Sequence, residues 1–173
     1  MRWAVVLGLA AVVTGCSSGD PPDLDPLTKA ELAALPSADV QQMQALIGSH
    51  QGKVVVLAVW SAAAGECEGL FPALATLAQG APGVAVITLS VDRVDDVRAK
   101  ALPVVKEHGE PFENRVFGGD AMEVEPLLRQ EWAWRVPAIA VYDKKGEKAE
   151  ELYGRGAVAR AGPVVEKLLG KKR

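Results

Sequence analysis

The chemistry available to this 173-residue chain turns on one sulfur, Cys67, the last residue of the tetrad Ala64-Gly65-Glu66-Cys67. Two thiols at C-x-x-C spacing close a disulfide and pass two electrons. Here the first position is alanine, so a lone thiol remains and the tetrad cannot complete that cycle by itself. Glu66 and Glu68 put negative charge beside the sulfur, and no Lys, Arg or His lies within several residues to offset it. Such surroundings disfavour thiolate. The expectation is an inert, mostly buried thiol. The competing reading is a reactive one, since small Ala62, Ala63 and Ala64 leave room for a peroxide or a partner's thiol.

The other cysteine reads differently. Arg2, an apolar run from Ala4 to Val13, and Val13-Thr14-Gly15-Cys16 followed by polar Ser17-Ser18-Gly19-Asp20 form an export signal too short to remain as a spanning helix. The small-residue site ending in cysteine resembles the lipobox of bacterial lipoproteins. That resemblance implies cleavage before Cys16, lipid on its sulfur, firm anchoring through several acyl chains, and a protein held outside the cytoplasm. Residues 1–15 are then signal, 16–36 a lipidated cysteine with an Asp- and Pro-rich linker that carries one weak helical patch from Leu27 to Leu35, and 37–173 one domain of about 135 residues. A lipidated Cys16 leaves no partner for an internal disulfide.

Among charged residues, loss of 1–15 removes Arg2 alone and takes the net charge from −3 to about −4. An acidic chain without a basic stripe argues against nucleic acid and anionic headgroups as partners. His50 and His108 are far apart in sequence, so no metal site is expected. No phosphate-cradling or nucleotide-binding glycine motif implies a cofactor, and none is expected. Asp95-Asp96 and Glu123 with Glu125 suit helix starts better than paired catalytic acids.

The elements that must position Cys67 follow from periodicity. Ser37 opens a helix carrying Val40, Met43, Leu46 and Ile47. Val54 to Val59 is a β-branched run of the kind buried on both faces of a sheet. A helix over 66–79 is expected to kink at Pro72. Ala81-Pro82-Gly83 leads to a strand over 84–91, parallel to the first through a right-handed crossover. A helix over 94–108 contains Pro103, residues 110–120 are irregular or a short strand, and 123–132 is helical with Leu127 and Leu128 inward. Val136-Pro137 opens a strand over 138–143, Lys144-Lys145-Gly146-Glu147 turns the chain, 148–153 returns antiparallel, and a helix over 157–169 closes the domain. The pattern predicts an α/β fold: a mixed central β-sheet flanked by helices on both faces.

Several stretches resemble the membrane-tethered thioredoxin-like proteins of the TlpA/ResA type. Gly52-Lys53-Val54-Val55-Val56-Leu57-Ala58-Val59-Trp60 is similar to that family's G-K-V-V-L-V-N-F-W run. Phe71-Pro72-Ala73-Leu74 is similar to its M-P-A-L, Ser90-Val91-Asp92 to its S-V-D, and Val136-Pro137 with Ala138 to Asp143 to its V-P-T-T-F-L-I-D. The resemblance covers about 37–169. It implies a thioredoxin fold, thiol–disulfide exchange, and a cis proline at Pro137 against the dithiol. The family's second tryptophan falls on Ala63, its nucleophilic cysteine on Ala64 and its usual proline on Glu66; Cys67 matches the deeper, second cysteine.

The site this implies comprises Trp60, Ala64, Gly65, Glu66, Cys67, Val136 and Pro137. The expected function is an envelope-anchored module, facing the periplasm or cell exterior, that binds an extracytoplasmic protein or peptide in the groove between Trp60, Ala64 and Pro137. The alternative is a monothiol oxidoreductase or peroxidase using Cys67, with Arg135 as the cation the fold brings near. Trp132 and Trp134, if exposed, add an aromatic contact surface.

Overall fold

The computed structural model describes residues 27–67, 69–128 and 135–170. The signal and lipid-site residues, Glu68, Trp132, Trp134 and the Lys171-Lys172-Arg173 tail lie outside them.

Strand β2 (Val54–Trp60) is buried at every position, as its unbroken apolar run requires. The pleat sends Val54, Val56, Ala58 and Trp60 into one core and Val55, Leu57 and Val59 into the other. β2 runs parallel to β3 (Val84–Ser90), from Val54 opposite Val84 to Trp60 opposite Ser90. On its other side it runs antiparallel to β5 (Ala138–Tyr142), with Val59 opposite Ala138. β4 (Glu113–Phe117) lies parallel to β3, and the two-residue β1 (Ser37–Ala38) parallel to β4. β6 (Lys148–Tyr153) is antiparallel to β5 and forms the far edge. The order is β1-β4-β3-β2-β5-β6.

The face bearing Trp60 packs on α3 (Leu70–Gly80), the helical segment 94–108 and α6 (Ala157–Leu169). The opposite face packs on α2 (Val40–Ser49) and the 3-10 segment Ala121–Leu127 through Met43, Ile47, Val124, Leu127 and Leu128. The closing helix and the β5–β6 hairpin stand where periodicity places them. Asp143 Oδ1 accepts from the N–H groups of Lys145 and Glu147 at 2.8 and 3.0 Å to shape the turn.

Local chemistry overrides the sequence pattern in five places. α2 starts at Val40 because Asp39 forms a reciprocal capping box with Gln42; Ser37 belongs to β1. The weak helical patch from Leu27 to Leu35 forms α1 (Lys29–Ala34), and the stretch packs on the domain where a spacer was expected. Leu35 is fully buried, and Arg98 Nε meets Glu31 Oε1 at 2.7 Å. The helix expected over 66–79 is divided: a 3-10 turn, Gly65–Cys67, is followed by Gly69 at φ +77° and then by α3. Pro72 therefore falls in the first turn of α3, where no intrahelical N–H is required, rather than in the middle of a longer helix. The 94–108 helix accommodates Pro103 with a π-helical stretch, Val97–Ala101, between α4 (Val94–Asp96) and α5 (Leu102–His108). The helix expected over 123–132 is 3-10 as far as Leu127, with Pro126 inside it steering Glu125 away from α geometry.

Candidate functional site

Trp60 ends β2 only 2% exposed, its ring edge-on to Phe71 with centroids 4.9 Å apart. Its Nε1 is buried and has no acceptor among the described residues. The loop that follows is fastened from the neighbouring strand. Parallel pairing brings Ser90 level with Trp60, so Asp92, two residues on, lies under residues 61–63. Asp92 Oδ1 accepts from Ser61 Oγ at 2.5 Å and Ala63 N at 3.2 Å; Oδ2 accepts from Ala62 N at 2.9 Å and Ser90 Oγ at 2.7 Å. Two backbone and two hydroxyl donors thus satisfy one buried carboxylate. Ala64 N donates to Ser61 O at 3.2 Å and Cys67 N to Ala64 O at 2.9 Å, closing the tetrad into its turn.

Cys67 is free and 8% exposed. Burial pushes its thiol up to about 11; the carboxylates of Asp92 and Glu66 push the same way, against a backbone hydrogen bond at Ser61. At neutral pH about one molecule in ten thousand then carries thiolate. The turn holding Cys67 ends before Gly69, so the sulfur does not stand in the first turn of α3, where backbone N–H groups would favour its anion. Burial and the neighbouring carboxylates both disfavour thiolate at Cys67.

The Val136–Pro137 peptide bond is cis. Since Val59 faces Ala138, Pro137 lies level with the end of β2, beside the tetrad. Two cavities meet here, and Ala64 lines both. One, of about 400 Å³, is mostly apolar: Trp60, Cys67, Leu70, Phe71 and Val104 form its walls and His108 also borders it. The other, of about 500 Å³, is bounded by Ala64, Glu66, Arg135, Val136, Gly154 and Arg155. Gly65 lines the apolar cavity, and Pro137 a smaller one alongside Glu66 and Arg155.

Trp60, Ala64, Gly65, Glu66, Cys67, Val136 and Pro137 are thus gathered at one end of the sheet. Arg135 does not reach the sulfur's cavity. It lines the second one, with its guanidinium 5.3 Å from the centroid of the Tyr153 ring, where cation–π attraction holds it. His50 is far from the tetrad's cavities and pairs with Glu113 at 2.6 Å.

Two features escaped the sequence reading. Asp92 stood out only as part of a similar tripeptide; the serines at 61 and 90 were the signal that a carboxylate between two strand ends would be a hydrogen-bond hub. Arg155, in a Gly-Arg-Gly turn after β6, carried no signal until β6 was placed beside β5.

A mixed sheet of this order, with a cis proline entering the antiparallel central strand beside the loop that leaves the parallel one, is the thioredoxin fold. The sequence matches no protein-family model and no curated protein. Solved structures do match. A DsbF homologue from Corynebacterium diphtheriae superposes with a TM-score of 0.59 at 19% identity, over 70% of this chain and 76% of its own. A secreted disulfide oxidoreductase of Mycobacterium tuberculosis, homologous to E. coli DsbE, gives 0.52 at 19% identity, over 69% and 85%. The thioredoxin domain of a thiol-disulfide oxidoreductase from Bacteroides vulgatus gives 0.52 at 18%, over 70% and 82%.

Proposed function

We propose that this chain is an extracytoplasmic thioredoxin-fold protein, lipid-anchored at Cys16, that binds an extended segment of a protein partner across Ala64 without cycling a dithiol. The observation that carries this reading is the exchange of roles at the tetrad. The position of the first thiol is a half-buried methyl group between two cavities, and the remaining sulfur is buried with its thiol held protonated. Ala64 leaves open space beside Pro137 in which an extended chain can lie. The export signal, the lipobox-like site and the likeness to a secreted oxidoreductase support an envelope location.

The test is a photo-crosslinking amino acid placed at residue 64 of the full chain in its native envelope. A discrete protein adduct is expected, together with no catalytic reduction of insulin by the detergent-solubilised protein. Absence of any adduct, or insulin reduction abolished by Cys67→Ser, overturns the reading. One observation favours a monothiol oxidoreductase or peroxidase instead: Cys67 borders the apolar cavity, through which a small oxidant would approach. Sulfenic acid formed stoichiometrically by dilute peroxide at neutral pH would establish that alternative.

A further inference from the structure

The chain is acidic overall, with 22 Asp and Glu against 19 Lys and Arg, yet its second cavity is not. Arg135 and Arg155 both line it, both are exposed, and neither makes an ion pair with a described residue. Arg160 stands beside them. Its Nη2 donates to Tyr153 O at 2.6 Å and its Nη1 to Arg155 O at 3.5 Å, so it braces the turn that presents Arg155. Arg135 stacks on Tyr153 itself, so three guanidiniums converge on one turn. The opposing charge in the cavity is Glu66, whose Oε2 lies 3.8 Å from where a Cβ on Gly154 would stand. Across Ala64 lies the apolar cavity, walled by Trp60, Leu70 and Phe71.

Ala64 is therefore a saddle between an apolar pocket and a cationic one. We infer that the occupant of this groove is an extended peptide segment of a partner that seats an apolar side chain beside Phe71 and an acidic side chain between Arg135 and Arg155. This deepens the peptide-binding reading above and rests on it. The ground is charge complementarity. Guanidiniums are forked donors that match a carboxylate, and two of them in one cavity outweigh the single carboxylate of Glu66. An extended chain crossing the saddle sends neighbouring side chains to opposite sides, one toward each cavity.

The experiment is selection of a random peptide library displayed on phage against the detergent-solubilised full chain, followed by affinity measurement of synthetic versions of the enriched peptides. Enrichment of a large apolar residue close to Asp or Glu is expected. Arg135→Glu with Arg155→Glu should weaken those peptides about tenfold at low salt, with the loss shrinking as ionic strength rises. Glu66→Gln should strengthen them a few-fold, because it removes the competing carboxylate. Both changes are at exposed positions, and unchanged melting curves would confirm that the variants are folded. Synthetic peptides with the acidic residue replaced by its amide and a free C-terminus retained show whether side-chain or terminal carboxylate is bound; equal binding of the amide peptide overturns the inference. If peptides bind and are excluded by Ala64→Trp but show no acidic preference, or are indifferent to the arginine reversals, this inference fails while the groove reading stands. If no peptide binds, or Ala64→Trp excludes none, both fail.

Discussion

Removing the Asp92 carboxylate tests whether the loop carrying Ala64 is held from the neighbouring strand. In Asp92→Ala four donors lose their acceptor. Ser61 and Ser90 can rotate their hydroxyls, and the Ala63 N–H keeps Ser61 Oγ at 3.2 Å, but the Ala62 N–H has no substitute. Leaving a buried backbone donor unsatisfied costs about 1–3 kcal/mol, and the charge-assisted bonds to the hydroxyls add to it. A total of about 3 kcal/mol is expected, which for a domain of this size lowers Tm by about 10 °C. Asp92→Asn should cost about half as much, since its amide keeps one acceptor oxygen while turning a donor toward donors. The same loop closes the tetrad through Ser61 O and Ala64 O, so loosening it should also speed iodoacetamide labelling of Cys67 about tenfold, through more frequent local opening. Thermal denaturation by circular dichroism gives the first number and mass-resolved alkylation the second. A melting point within about 3 °C of the parent, with Cys67 labelled no faster, would refute the assignment of Asp92 as the anchor.

Other consequences can be checked in parallel. Because Cys67 in the folded state is raised from an ordinary value of 9 to about 11, the stability it contributes is intact below pH 9 and is lost as pH climbs through 11; the fall is about 2–3 kcal/mol. Urea unfolding of the parent should weaken over that interval relative to Cys67→Ala, and parallel curves would contradict the shift. In Ala64→Cys the new thiol sits one 3-10 turn from Cys67, within disulfide reach, so mild oxidation should protect both sulfurs from alkylation; two titratable thiols persisting under oxidant would show the turn is wrongly placed. Trp60→Ala should cost about 3–5 kcal/mol, since it deletes a fully buried indole and its edge contact with Phe71. A loss under about 1 kcal/mol would mean that the ring is not core.

How much was legible beforehand depended on whether a residue's role was local or distant. The β2 run and the closing helix announced themselves because their burial follows directly from apolar spacing, and β2 alone fixes where Trp60 and the tetrad stand. The division of the helix was harder to see: the same residues satisfy a helical pattern, while the left-handed backbone at Gly69 stands just before α3. Leu27 and Leu35 bound a weakly helical patch in a stretch whose Asp and Pro content reads as linker; its packing was what the pattern hid, and Leu35 finds the core because α1 packs near α5. The cationic cavity was out of reach for a different reason. Arg135 and Arg155 are twenty residues apart, and only the pairing of β5 with β6 sets them around one opening.

The two margins of the sheet bear on how this protein meets others. β1 offers only Ser37 and Ala38, and β6 exposes Glu150 and carries an ion pair, Lys148 Nζ to Glu151 Oε1 at 2.6 Å. Neither rim presents the long, uncharged ladder of open backbone groups onto which a further strand could be added. Lateral addition of a strand at either of these margins is therefore disfavoured.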